Sequence, residues 1–257
     1  MDLRLNEKVA IVTGASRGIG RAVAGQLAAE GMRLVLVART DATLKEVADT
    51  CRGESLVLPV DLRDPDVPNK VVETTLARFG QIDLLVNNAG ATKRGDFVEL
   101  PDVDWNDGFA LKFFGAMRMC RAAWPHLKKQ NGSIINISGI GGRTGSSEFS
   151  IGGAVNAALL NLTKSLADLG VIDGVRVNAI NPSSILTDRL QIRISKLAQE
   201  QNISFYDASQ KMSQKLGVSR FGQPEEIAAL VAFLASHHAD YCQGSIIDVD
   251  GGKTRTL

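Results

Sequence analysis

The chain has little of what membranes, nucleic acids or oxidising compartments demand. Its cysteines are three, Cys51, Cys120 and Cys242, far apart and odd in number. With no CxxC pair and no Cys/His cluster, neither a disulfide framework nor a metal site is expected, and a reducing, cytoplasmic setting fits best. Aromatic residues make up 5% of the 257 positions, which leaves few rings on which bases can stack. Twenty-nine Lys plus Arg stand against 28 Asp plus Glu, a formal charge of +1. No overall field therefore gathers nucleic acid or anionic lipid. No stretch reaches the ~18 apolar residues of a membrane span, and the charged start at Asp2, Arg4, Glu7 and Lys8 is unlike a leader. A soluble, unprocessed protein with no membrane or nucleic-acid partner is the expectation.

Apolar and small residues are plentiful. At 44% hydrophobic content the chain can bury one large core, and its 25 glycines have no fibrous period. Short β-branched runs recur at Val9–Val12, Leu34–Val37, Leu56–Leu58, Leu84–Val86, Ile134–Ile137, Val175–Val177 and Ser245–Val249. Between them lie segments of helical spacing, such as Gly18 to Glu30 with Ile19, Val23, Leu27 and Ala28 on one face. Strand-helix alternation predicts an α/β fold: one doubly wound, Rossmann-type domain over residues 1–257, with a seven-stranded parallel sheet. The polar segment 183–217 has helical stretches but no strand, and reads as a lid or substrate loop.

After the first run comes Thr13-Gly14-Ala15-Ser16-Arg17-Gly18-Ile19-Gly20, with a helix opening at once. Glycines there let backbone approach a pyrophosphate, and the helix N-terminus holds its charge, which makes a dinucleotide site. At the end of the second run, Ala38-Arg39 stands where an NAD-type site places an acid. Arg39, with Arg17 and Ser16, suits a 2′-phosphate, so NADP(H) is expected over NAD(H); two solvated surface arginines are the plainer alternative.

Over nearly its whole length the sequence resembles the short-chain dehydrogenase/reductase family. The resemblance is carried by Thr13 to Gly20, by Asp61-Leu62, by Asn87-Asn88-Ala89-Gly90, by Arg220 to Glu226 and by Val249-Asp250-Gly251-Gly252. It implies Asp61 and Leu62 near the adenine, Asn88, Ala89 and Gly90 along the cofactor, and Thr187 at the carboxamide. The family's Pro-Gly is here Pro182-Ser183.

The same resemblance implies a tyrosine acid/base, a lysine that lowers its pKa, a substrate-binding serine and an asparagine that anchors water. Aligning Leu162 to Ala167 puts Gly152 at the tyrosine position and Asn156 at the lysine position. Counting back thirteen residues puts Gly139 at the serine position, and Lys112 falls at the asparagine position. Glycine has no group with which to move a proton, and asparagine supplies no cationic field to a phenol. Ordinary carbonyl reduction is therefore expected to be lost or rerouted, and the missing lysine to weaken cofactor affinity.

Gly139, Gly141, Gly142, Gly152 and Gly153 enlarge the cleft floor for a bulky ligand or an intruding side chain. Substitute catalytic groups are Lys112, which either swings into the vacancy or extends to solvent, Glu148 before the altered helix, and Tyr206 in the long insertion. Two functions stay open: an NADP(H)-dependent oxidoreductase, or lyase, with another proton donor, and a silent cofactor-binding or regulatory protein. A small-molecule ligand is expected in either case. Ala154 to Leu169, apolar on more than one face through Val155, Leu159, Leu160, Leu162, Leu166 and Leu169, predicts a homodimer or homotetramer.

Overall fold

The computed structural model describes residues 1–255. Strands β1 (Val9–Thr13), β2 (Arg33–Ala38), β3 (Ser55–Pro59), β4 (Leu84–Asn87), β5 (Ser133–Ile137), β6 (Arg176–Pro182) and β7 (Ile246–Val249) form one sheet. All pairs are parallel, in the order β3-β2-β1-β4-β5-β6-β7. Each of the seven β-branched runs is a strand. The order reverses direction between β1 and β4, which opens a crevice at their carboxyl ends.

Both faces of the sheet are covered, which is why its strands read as continuous apolar runs. From β1, Ala10 and Val12 join Val23 and Leu27 of α1 (Gly18–Ala29) and Val231 of α9 (Pro224–Ala235) in one core. The alternate residues Val9 and Ile11 point the other way, toward Val71 of α3 (Val67–Phe79) and Met119 of α5 (Ala116–Gln130). The start of α9 accounts for the Arg220-Phe221-Gly222-Gln223-Pro224-Glu225-Glu226 run. Glu226 accepts a 2.7 Å bond from the Gln223 amide and pairs with both Arg220 amino groups, while Pro224 sits in the first turn.

The segment 183–217 is a helical hairpin rather than a loop. Helices α7 (Asp188–Gln201) and α8 (Phe205–Lys215) pack through Leu190, Ile194 and Ala208 against Phe221, a small core of their own.

The long helix α6 (Ser150–Asp173) corrects the reasoning from its apolar faces. Val155, Leu159 and Leu160 are buried within the chain, Leu162 and Leu166 are half-buried, and of that set only Leu169 is exposed, at 43%. Its buried face carries Val155, Leu159 and Leu160, while Asn161, Lys164, Ser165 and Asp168 stand exposed on the other side. Among the described residues no helix is long and apolar enough to cross a membrane, and no group of three metal-ligating side chains exists.

Candidate functional site

A cleft of about 1150 Å³ runs along the carboxyl ends of the strands. Gly14, Ser16, Arg17, Gly18, Ile19, Arg39, Asp61, Leu62, Asn88, Ala89, Gly90, Pro182 and Thr187 all line it. At one end the β1–α1 turn places Gly14 and Gly18 at φ 66° and 55°, left-handed values that favour glycine. A Cβ on Gly14 would approach Ala89 Cα to 2.9 Å, and one on Gly20 would run into the Gly14 carbonyl. Gly20 does not line the cleft; its missing side chain lets α1 close on the turn.

Thr13 and Asn88 hold that turn to the next strand. Thr13 Oγ1 donates to the Val86 carbonyl and accepts from the amides of Asn88 and Ala89, while Asn88 Nδ2 donates to the carbonyls of Thr13 and Gly14. No side chain caps the first turn of α1, so its amides are available to an anion. Arg17 and Arg39 are exposed at the same end, and neither has a carboxylate partner among the described residues. Asp61 pairs with Arg63 at 3.3 Å. Thr187 closes over the turn: its Cγ2 is 3.1 Å from where a Gly18 Cβ would stand.

At the far end the floor follows β5. Gly139 donates its amide to Asn181 Oδ1, and Ser138 Oγ donates to the Asn156 carbonyl. Asn156 is 3% exposed and its Oδ1 has no hydrogen-bond partner among the described residues. The floor is less open than five glycines suggest. The Phe149 ring lies where a Gly152 side chain would begin, and it stands 3.0 Å from a Cβ placed on Gly141. Phe149 is the residue just before α6, three ahead of Gly152, and its ring folds back over the first turn of the helix. The guanidinium of Arg94 sits 4.0 Å over the ring centroid.

Of the three substitute catalytic groups, only Lys112 reaches the cleft. It lies in a π-helical segment, Phe109–Gly115, between α4 (Asp102–Gly108) and α5. Its Nζ donates to the Ser138 carbonyl at 2.8 Å, and its methylenes cross Gly90, where a Cβ would be 2.9 Å from Lys112 Cδ. Lys112 thus turns inward rather than to solvent. Burial, and then the nearby Arg189, pull its amine down to about 8. Glu148 is exposed and does not line the cleft, and Tyr206 stands 68% exposed on α8, also outside it. Their loop and hairpin positions turn both side chains outward. Ser183 and Ser184 line the cleft, whereas Ser147 and Ser150 do not.

Sequence reasoning missed Phe149, Arg94 and Arg189. The i, i+3 relation of Phe149 to Gly152 was a usable signal for the first. The two arginines lie in segments without a motif, and only the fold brings them to the cleft.

Fold and cleft together define a Rossmann-type α/β protein with a glycine turn that leads into an uncapped helix start. The profile described as enoyl-(acyl carrier protein) reductase matches residues 14–254. The chain belongs to the short-chain dehydrogenase/reductase family. It is 33% identical over 256 residues to meso-2,3-butanediol dehydrogenase of Serratia marcescens, covering 98% of this chain and 96% of the relative. To 3-oxoacyl-(acyl-carrier-protein) reductase of Escherichia coli it is 34% identical over 246 residues, 95% of this chain and 96% of that one. L-sorbose reductase from Gluconobacter frateurii, solved with NADPH and L-sorbose, superposes with a TM-score of 0.95 at 34% identity, over 100% of both chains.

Proposed function

We propose that the chain is an NADP(H)-binding member of this family in which the Ser-Tyr-Lys carbonyl chemistry is lost. The carrying observation is the Phe149 ring in the space of a Gly152 side chain. Glycine at 139 and asparagine at 156 remove the hydroxyl and the ammonium that would accompany a tyrosine. The positive-φ glycines, the uncapped start of α1 and the acid-free end of β2 fit a 2′-phosphorylated dinucleotide. Gly14, Gly18 and Ile19 would hold its pyrophosphate, and Ser16, Arg17 and Arg39 its 2′-phosphate. Asp61 and Leu62 would bound the adenine, with Asn88, Ala89, Gly90, Pro182 and Thr187 along the rest. When bound, the group offers a ring that gives or takes a hydride. The 183–217 hairpin forms the ligand-side wall, and the protein acts as a cytoplasmic homo-oligomer.

A second reading is favoured by Lys112. An amine near pKa 8 in the cleft is a usable proton donor at neutral pH, and it would make the chain a reductase with a rerouted acid. The test is calorimetric titration with NADPH and NADH, followed by NADPH absorbance over a broad carbonyl panel. Tight NADPH binding without turnover is expected. Robust turnover that survives repurification and disappears in Lys112→Ala establishes the second reading instead, and failure to bind NADPH overturns both.

A further inference from the structure

The whole chain carries a formal charge of +1, yet the far end of its cleft gathers cations. Arg94 over the Phe149 ring and Lys112 on the Ser138 carbonyl stand there, Arg189 donates to the Gly90 carbonyl beside them, and the carboxylates that line the whole cleft are Glu46, Asp61 and Asp188. Among the described residues, Arg94, Lys112, Arg189 and Arg193 have no carboxylate within 4.0 Å. Elsewhere Arg63, Arg143 and Arg220 close on carboxylates at 2.6, 2.8 and 2.7 Å.

The unpaired cations converge from separate elements. Arg94 follows β4, Lys112 sits in the π-helical segment, and Arg189 and Arg193, four residues apart, share a face of α7, Arg189 lining the cleft and Arg193 exposed beside it. Leu190 and Ile194, next to them in sequence, pack into the hairpin core, which fixes the presentation of the arginines. Burial and then Arg193 lower the pKa of Arg94, with Glu148 acting in the opposite direction, and burial and then Arg189 lower that of Lys112. Like charges held together in a partly desolvated cleft call for a counter-charge. Arg94 lies over the Phe149 ring, and its N–H edge has no hydrogen-bond partner among the described residues, a geometry suited to a two-pronged contact with a carboxylate or phosphate.

We propose that this end of the cleft takes a small organic anion, its carboxylate or phosphate gripped between Arg94 and the Arg189–Arg193 face of α7, with the Lys112 ammonium beneath it. The inference deepens the NADP(H) reading, since it names the ligand class of the same cleft. Arg17 and Arg39 answer the phosphates of the cofactor, and Arg17 lies close enough to Arg189 to add to the lowering of its pKa by burial.

The test is calorimetric titration of the full chain, both alone and saturated with NADPH. The probes are succinate, acetoacetate and inorganic phosphate, with succinamide and methyl acetoacetate as uncharged matches. At least one anion is expected to bind about tenfold more tightly than its uncharged match, or, for phosphate, about tenfold more tightly than to Arg94→Gln. Arg94→Gln and Arg193→Gln should each weaken the bound anion, while an unchanged urea midpoint shows that the variants fold. The stronger of the carboxylate and phosphate arms identifies the group recognised. Anions that bind no better than their uncharged matches to either form of the protein, or an anion affinity unmoved by Arg94→Gln, overturn the proposal. Failure of NADPH to bind removes the cofactor reading, and the titration of the protein alone then decides the anion site separately.

Discussion

The ring of Phe149 occupies the place where a side chain at Gly152 would begin. Glycine at 152 is therefore a packing requirement, and it persists although glycine within a helix costs about 1 kcal/mol relative to alanine. Gly141 also borders the ring, whose edge stands 3.0 Å from a Cβ placed there. A floor that looks emptied from the sequence is filled by an aromatic ring from three residues upstream.

Gly152→Ala should destabilise the protein by about 1–3 kcal/mol, the usual cost of overpacking. In a Phe149→Ala background the same change should be neutral or stabilising. Urea unfolding of both singles and the double measures this coupling, and additive effects would show that the ring moves aside freely. The catalytic set Gly139→Ser, Gly152→Tyr, Asn156→Lys and Lys112→Asn is accordingly expected to restore no hydride transfer while Phe149 remains. Turnover should require Phe149→Ala as well, read as NADPH consumption with simple ketones.

Cofactor discrimination should rest on Arg39. NADPH is expected to bind about tenfold more tightly than NADH, the worth of one charge-assisted contact to phosphate. Arg39→Ala should erase the difference by weakening NADPH alone. Calorimetric titration of both nucleotides checks it, and a preference that survives the substitution would move the role to Arg17.

The sheet was legible because strands covered on both faces cannot afford polar alternation, so Val9–Val12 and its counterparts stand out as unbroken runs. The tight glycine turn after β1 was legible because Gly14, Gly18 and Gly20 meet steric limits within a few residues of one another. The far end was not. Phe149 acts through space on Gly141 and Gly152, and Arg94 meets Arg193 only because a loop and a hairpin fold toward one cleft. In α6 the apolar periodicity did not separate Val155, Leu159 and Leu160, which are buried within the chain, from Leu162, Leu166 and Leu169, which stay partly or fully exposed.

Self-association is still expected, from different residues. Val103 and Phe114 are 68% and 40% exposed beside α4 and α5, and Val171 and Ile172 are 73% and 83% exposed at the end of α6. Light scattering at micromolar concentration should give a species larger than the 27.5 kDa protomer. Ile172→Asp together with Val103→Asp should shift it toward the protomer, whereas a protomer in the unmodified protein would end this expectation.

Lys112 gives a prediction about stability and pH. Burial lowers its folded-state pKa to about 8, from an ordinary value of 10.5. Between those two values the unfolded chain holds the proton that the folded chain has released, so stability contributed by this group rises with pH across that window. Below it the amine is charged in both states, and the full cost of burying the charge is present. Lys112→Met, which keeps the packed methylenes over Gly90 and removes the charge, should therefore unfold at a higher urea concentration than the unmodified protein at neutral pH. That advantage should shrink as the pH is raised toward about 10. Other alkaline groups titrate in both proteins, so the difference between the two curves isolates Lys112. The lost hydrogen bond to the Ser138 carbonyl lowers the variant's stability by an amount that varies little with pH, so it shifts the offset and leaves the slope. A difference that stays flat across the window would mean that Lys112 is solvated as an ordinary surface lysine, and its place as the cleft's buried amine would have to be given up.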